Sequence, residues 1–205
     1  MREISSLGQF ILASKSPRRE EILNNIGLNF KVYSSKIDET KFKKYTPKIS
    51  ATLCAEKKAM AVSQVFANNF IIAADTIVSI KGAILGKPKN KSESYEMLKM
   101  LSGKSHKVIT GVSVCKKNEN LKKSFCSTTE VKIKPLSDDI IKFYIENFNP
   151  FDKAGSYGIQ DWFSCQVESI KGCYFNVMGL PLSKLYELLL NLSLIHISEP
   201  TRLPG

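Results

Sequence analysis

The sequence predicts an α/β fold built on a mixed, twisted sheet flanked by helices. Short apolar runs of strand length alternate with longer segments of helical spacing, and two long runs late in the chain face each other as a hairpin. No internal repeat, low-complexity segment or evident linker breaks this order.

The elements follow in sequence. Phe10-Ile11-Leu12-Ala13 is a short apolar run of the kind a buried strand shows. Ser16 then caps a helix with Pro17 at its first position, where a missing N–H costs nothing. Ile22, Leu23 and Ile26 share one face, and Gly27 stops the helix. Leu28 to Ser34 alternates like a strand. A helix is predicted from about Ser50 to Phe66, with Leu53, Ala55, Met60, Ala61 and Val65 as its apolar residues. Phe70 to Ile80 is a long apolar run interrupted by Asp75-Thr76, followed by a turn at Lys81-Gly82. Ser92 caps the next helix, whose apolar residues include Met97, Leu98 and Leu101, and Gly103 ends it. His106 to Cys115 and Leu121 to Ile133 form the hairpin around Asn118-Glu119-Asn120. Ser137-Asp138-Asp139 opens a helix carrying Ile140, Ile141, Tyr144, Ile145 and Phe148. A glycine-containing loop from Pro150 to Asp161, a last strand and Gly179-Leu180-Pro181 lead to a terminal leucine-rich helix. Leu192 to Arg202 resembles the translated adapter of a transposase-made sequencing library. The expected domain therefore spans 1–191, with 192–205 set aside as a non-native tail and His196 given no role.

Composition narrows the class. The 205 residues suffice for one domain with a sizeable core. At 43% hydrophobic and 24% charged, the chain reads as an ordinary soluble protein. No run approaches the ~20 apolar residues of a membrane span, and the N-terminus lacks a secretory pattern, so the expected compartment is the cytoplasm. Five scattered cysteines without a C-x-x-C pair argue against a disulfide framework and against structural zinc. A net charge of +11 permits nucleic-acid, anionic-lipid or phosphorylated partners. Much of it lies in lysine runs that read as solvated faces, and the aromatics are not interleaved with them as in a stacking platform, so no nucleic-acid partner is expected.

Four constellations can carry chemistry. The first turn of the helix after Leu12 offers unpaired N–H groups and a positive dipole end. Lys15, Arg18 and Arg19 crowd that end, where cations are unfavourable without an anion. The segment reads as a phosphate site or as a solvated basic turn. Asp75, inside Ile71 to Val78, is a carboxylate in an apolar run. Such a group is costly to bury unless it is paired, bonded or holding a metal. It suits a divalent ion or general-base work, or else marks a strand end or bulge that reaches water. Lys87 in Leu85-Gly86-Lys87-Pro88 reads as a phosphate contact or a turn lysine. Asp38-Glu39 and Lys57 do not stand out from surface charge. Gln160, at the end of Asp152 to Gln160, offers both donor and acceptor to a base edge, in what is otherwise an ordinary loop. Neither a Walker A loop nor a G-x-G-x-x-G is present.

Together these segments resemble the Maf family of nucleotide pyrophosphatases across about residues 7–191. The resemblance rests on Leu12 to Arg19, Asp38-Glu39, Ala74 to Val78, Leu85 to Pro88, Leu101 to Gly111, Lys153 to Gln160 and Asn176 to Pro181. It implies a mixed α/β fold of two lobes around a deep cleft, often dimeric, so a homodimer is among the expected partners. It also implies hydrolysis of a nucleoside triphosphate to monophosphate and pyrophosphate, dependent on a divalent cation, Mg²⁺ or Mn²⁺. Within it, Asp75 matches the catalytic acid, which acts as base and also lies near the metal, and Glu39 matches a second metal-site acid. Ser14, Arg18, Arg19, Lys57 and Lys87 match residues around the phosphates. Thr76 and the Tyr157-Gly158-Ile159-Gln160 loop are similar to the branch acting on dTTP and UTP, with Arg18, Thr76 and Gln160 at the selecting positions. Two departures stand out: Asp161 where a glycine is usual, which bears on the loop near the base and so on fine specificity, and Lys58 in place of a small residue beside Lys57, which looks harmless. The alternatives are the same fold with another modified-nucleotide preference, or a nucleotide-binding regulator of septum formation.

Overall fold

The computed structural model describes residues 2–42 and 44–198. Its strands are β1 (Phe10–Leu12), β2 (Phe30–Val32), β3 (Phe70–Ile80), β4 (Ala83–Leu85), β5 (Ser105–Lys116), β6 (Leu121–Ile133) and β7 (Val167–Lys171). The helices are α1 (Arg2–Ser5), α2 (Pro17–Asn25), α3 (Pro47–Ser63), α4 (Lys91–Leu101), α5 (Asp138–Phe148), α6 (Tyr174–Met178) and α7 (Leu182–Ser198). Among the described residues the strands form one seven-stranded sheet in the order β2-β1-β3-β5-β6-β7, with β4 on β3. β1 pairs in parallel with β2 and β3, and the remaining pairings are antiparallel, so the sheet is mixed as the alternation requires.

β3 organises the molecule. Its alternation sends Phe70, Ile72 and Ala74 into a core with Ile22, Leu23, Leu185 and Leu189, and Ile71 and Ala73 into a core with Ala59 and Val62. Beyond Ile77 the same strand enters a separate core with Leu98, Leu101, Val131, Ile141 and Phe163. These clusters make the two lobes, and β3 runs from one to the other. Asp75-Thr76 does not interrupt the strand: they pair in register with Gly111 and Thr110 of β5. The other edge opens there. β1 pairs only with residues 70–72 and β4 only with 78–80, so the chain between them fronts a cleft.

Other expectations shift by small amounts. α4 is capped by Asn90, whose side chain accepts from Glu93 N–H, rather than by Ser92. Ser16 takes an extended N-cap conformation without a side-chain cap bond. The buried stripe of α3 is Ala51, Cys54, Ala55, Lys58, Ala59 and Val62, at helical spacing, while Met60 and Val65 of the expected apolar face are exposed. α3 seats closely because Gly111 has no side chain: a Cβ there would lie 2.4 Å from Ala51 carbonyl carbon. α7 runs past 191 with Leu192 and Ser193 buried, and the rest of the expected tail, 199–205, lies outside the described residues. Among the described residues no helix is long and apolar enough to cross a membrane.

Candidate active site

The opening beside β3 is a cavity of about 640 Å³. Its lining joins the turn after β1, one face of α3 (Ser50, Cys54 and Lys58), the middle of β3, the end of β4 and the loop around residues 152–159. Six lining residues are basic (Lys15, Arg18, Arg19, Lys58, Lys87 and Lys153) against three acidic ones (Glu39, Asp75 and Asp152), so the cavity favours an anion. Apolar residues also line it, among them Val78, Val108, Tyr157, Ile159, Val177 and Met178.

The turn after β1 is shaped by Ser14, whose Oγ accepts the backbone N–H of Ser16 at 3.2 Å. Arg19 lies on the inner face of α2 with Ile22 and Leu23. Its Nη1 donates to Ser14 Oγ at 2.9 Å, its Nη2 to Thr76 Oγ1 at 3.1 Å and its Nε to the Gly179 carbonyl at 2.8 Å. Burial holds the Arg19 guanidinium below its ordinary value, and Asp75 partly offsets this. Arg19 therefore lines the cavity but spends its fork on protein, bracing three walls rather than presenting itself to phosphate. Thr76 Oγ1 also shares a hydrogen bond with Thr110 Oγ1 at 3.0 Å. Arg18, one position earlier, crosses the mouth and pairs with Asp152 at 2.8 Å.

On the facing side, Lys58 Nζ lies 2.7 Å from Asp75 Oδ1 and 2.8 Å from Glu39 Oε1. Burial works hardest against the Lys58 charge, but Asp75, Cys54 and Glu39 together outweigh it and the ammonium titrates above its ordinary range. Burial likewise opposes the Glu39 charge, yet Lys58 keeps that carboxyl below its usual value. Burial and the Asp75 charge push the Cys54 thiol up to about 12, so it stays protonated and is no nucleophile at neutral pH.

Glu39, Cys54 and Asp75 each offer one ligand atom, and these atoms lie within 4.8 Å of one another. Hard divalent cations take oxygen ligands and complete their shell with water and substrate phosphate. The two carboxylates fit such an ion, and the protonated Cys54 does not add to it.

Of the residues expected from sequence, Ser14, Arg18, Arg19, Glu39, Asp75, Thr76 and Lys87 all line this cavity. Two do not. Lys57 is exposed on α3 while Lys58 points in, because neighbouring helix residues project about 100° apart. The substitution that looked harmless thus places the buried lysine of the site. Gln160 is exposed, donates to Glu21 Oε2 at 3.0 Å and borders a separate shallow hollow. Cys54 and Lys153 were not singled out by sequence reasoning. The stripe 51-54-55-58-59-62 would have found both Cys54 and Lys58 had the phase of α3 been set by its small residues.

A family model described as Maf-like protein matches residues 9–192. The dTTP/UTP pyrophosphatase of Thermosipho africanus is 45% identical over 191 residues, 93% of this chain and 97% of that protein. The dTTP/UTP pyrophosphatase of Clostridioides difficile is 45% identical over 179 residues, 87% of this chain and 92% of its own length. Among solved structures, a HAM1 protein from Coxiella burnetii is 16% identical, covers 93% of this chain and 99% of that one, and has a TM-score of 0.45.

Proposed function

The chain belongs to the Maf-like protein family, and from that premise we propose that it hydrolyses dTTP or UTP to the nucleoside monophosphate and pyrophosphate. The observation that carries the reading is Asp75 on an open stretch of β3, with Lys58 and Glu39 beside it, inside a cavity whose other charges are mostly cations. The lining suits a triphosphate: it combines cations for the phosphates with apolar residues such as Tyr157 and Ile159 of a kind that accepts a base.

In this reading Asp75 takes a proton from a water whose oxygen forms a bond to the α-phosphorus. The bridging bond between the α- and β-phosphates breaks, and its electron pair leaves with pyrophosphate. Lys58 fixes Asp75 in direction through its 2.7 Å hydrogen bond. Arg18 exchanges Asp152 for a phosphate oxygen, and Lys15 and Lys87 meet the remaining negative charge. Arg19 positions Ser14 and Thr76 without itself needing to move. A divalent cation, Mg²⁺ or Mn²⁺, would be held by Glu39 and Asp75 and would neutralise charge on the triphosphate when bound. The free cysteines suit a reducing compartment, and the cytoplasm is the location we propose.

The test is a panel of canonical and modified triphosphates with Mg²⁺, scored for monophosphate and pyrophosphate. UMP or dTMP with pyrophosphate is the expected pair. Release of single phosphate, or preference for a methylated guanine nucleotide, contradicts the reading.

A further inference from the structure

The loop that brings Lys153, Tyr157, Gly158 and Ile159 to the cavity is held from behind by a tyrosine and a carboxylate that take no part in the chemistry above. Tyr144 of α5 is fully buried and packs on Phe148, Trp162 and Phe163. Its hydroxyl donates to both oxygens of Asp161, at 3.1 and 3.2 Å, and accepts the backbone N–H of Gly158 at 3.0 Å. Asp161 Oδ1 also receives the Phe163 N–H at 3.0 Å, and its Oδ2 lies 3.9 Å from Lys153 Nζ. Gly158 fits against this pair only because it has no side chain: a Cβ would stand 2.4 Å from Asp161 Oδ2 and 2.9 Å from Lys153 Cε. Gly158 and Lys153 are walls of the cavity, whereas Tyr144 and Asp161 are not.

We propose that Tyr144 and Asp161 are positioning residues for the nucleoside end of the substrate, acting through Gly158 and Lys153. This inference rests on the triphosphate reading above. The pair sets where the loop stands relative to Val78 and Val108, so its loss loosens the fit around the base. Among the cations of the cavity, Lys153 alone comes near the pair, and its nearer partner is Asp152 at 2.8 Å, which also holds Arg18. A buried hydroxyl with one donor and one acceptor partner fixes a loop more narrowly than packing alone.

The test compares Tyr144→Phe and Asp161→Asn with wild type, in steady-state turnover of UTP with Mg²⁺, in inhibition by inorganic pyrophosphate and in thermal unfolding. Tyr144→Phe keeps the ring in its cluster, and Asp161→Asn keeps an acceptor for Phe163 and Tyr144. For Tyr144→Phe the expected result is a KM for UTP raised about fivefold, with kcat and the pyrophosphate inhibition constant each within about twofold. Asp161→Asn moves the same way by less, and it carries the test should Tyr144→Phe fold poorly. An unchanged KM in both variants overturns the inference. So does a KM that rises together with the pyrophosphate constant, or a loss that follows only the fraction unfolded. Wild-type protein that releases no pyrophosphate from any triphosphate overturns the parent reading and this inference with it. Normal wild-type turnover with unaltered variants overturns the inference alone.

Discussion

Lys58 donates to Asp75 Oδ1 across 2.7 Å, with its own side chain 8% exposed and that of Asp75 16% exposed. Glu39 Oε1 lies 2.8 Å from the same ammonium. The cation is what allows two carboxylates to share one corner of the cavity. Lys58→Met removes the cation that the partly buried Asp75 and the exposed Glu39 share. Stability near neutral pH should fall by about 2–4 kcal/mol, read from denaturant unfolding. The same variant should bind Mn²⁺ more tightly than wild type in calorimetry, because the ammonium competes for the same oxygens. Its turnover should drop by at least about a hundredfold if Lys58 directs the base.

Arg18 and Arg19 are neighbours with different duties. Arg19 makes three hydrogen bonds to protein from a buried site, and lysine cannot reproduce that fork. Arg19→Lys should lose about 2–4 kcal/mol of stability together with activity. Arg18 pairs at the solvent-facing mouth, so Arg18→Ala should cost under about 1 kcal/mol while raising KM. Parallel unfolding and kinetic measurements separate the two.

Much of this was legible in the sequence. The ends of β3 match the apolar run Phe70 to Ile80, and Asp75 stood out as a carboxylate within it. The turn from Leu12 to Arg19 carried its own charge conflict. What the sequence left open was direction. α3 has small or apolar residues on several sides: of the expected Leu53, Ala55, Met60, Ala61 and Val65 the packing buries only Ala55, together with Ala51, Cys54, Ala59 and Val62. Lys57 came from the family resemblance, and the phase of α3 turns its neighbour Lys58 into the cavity instead. Gln160 lies in a loop, where no periodicity fixes a side chain, and its partner Glu21 is 139 positions away. The Arg18 to Asp152 link is equally non-local.

Gly111 sets the distance between α3 and the sheet, opposite Asp75 in register. Gly111→Ala should push α3 outward, destabilising the fold by about 1–3 kcal/mol and lowering turnover through the Lys58 to Asp75 contact. If turnover and stability are both untouched, the close seating of α3 does not position Lys58.

His106 supplies a pH dependence. Burial holds its imidazole down at about 4, against an ordinary value of 6.5, while Nε2 shares a hydrogen bond with Tyr157 Oη at 2.7 Å. The folded state therefore binds fewer protons than the unfolded state between those values. Stability is full above 6.5 and is lost as the pH falls toward 4. The loss from this group should be about 3 kcal/mol between pH 7 and pH 4. His106→Gln should flatten that part of the unfolding profile; an unchanged slope would remove His106 as its source.

The central claim is that water attacks the α-phosphorus beside Asp75. Turnover of UTP with Mg²⁺ in ¹⁸O-labelled water, with products resolved by mass, tests it directly. One labelled oxygen in UMP and none in pyrophosphate is the predicted result, and Asp75→Asn should all but abolish the labelled product. Label in pyrophosphate or in free phosphate, or an Asp75→Asn variant with wild-type turnover, would contradict it.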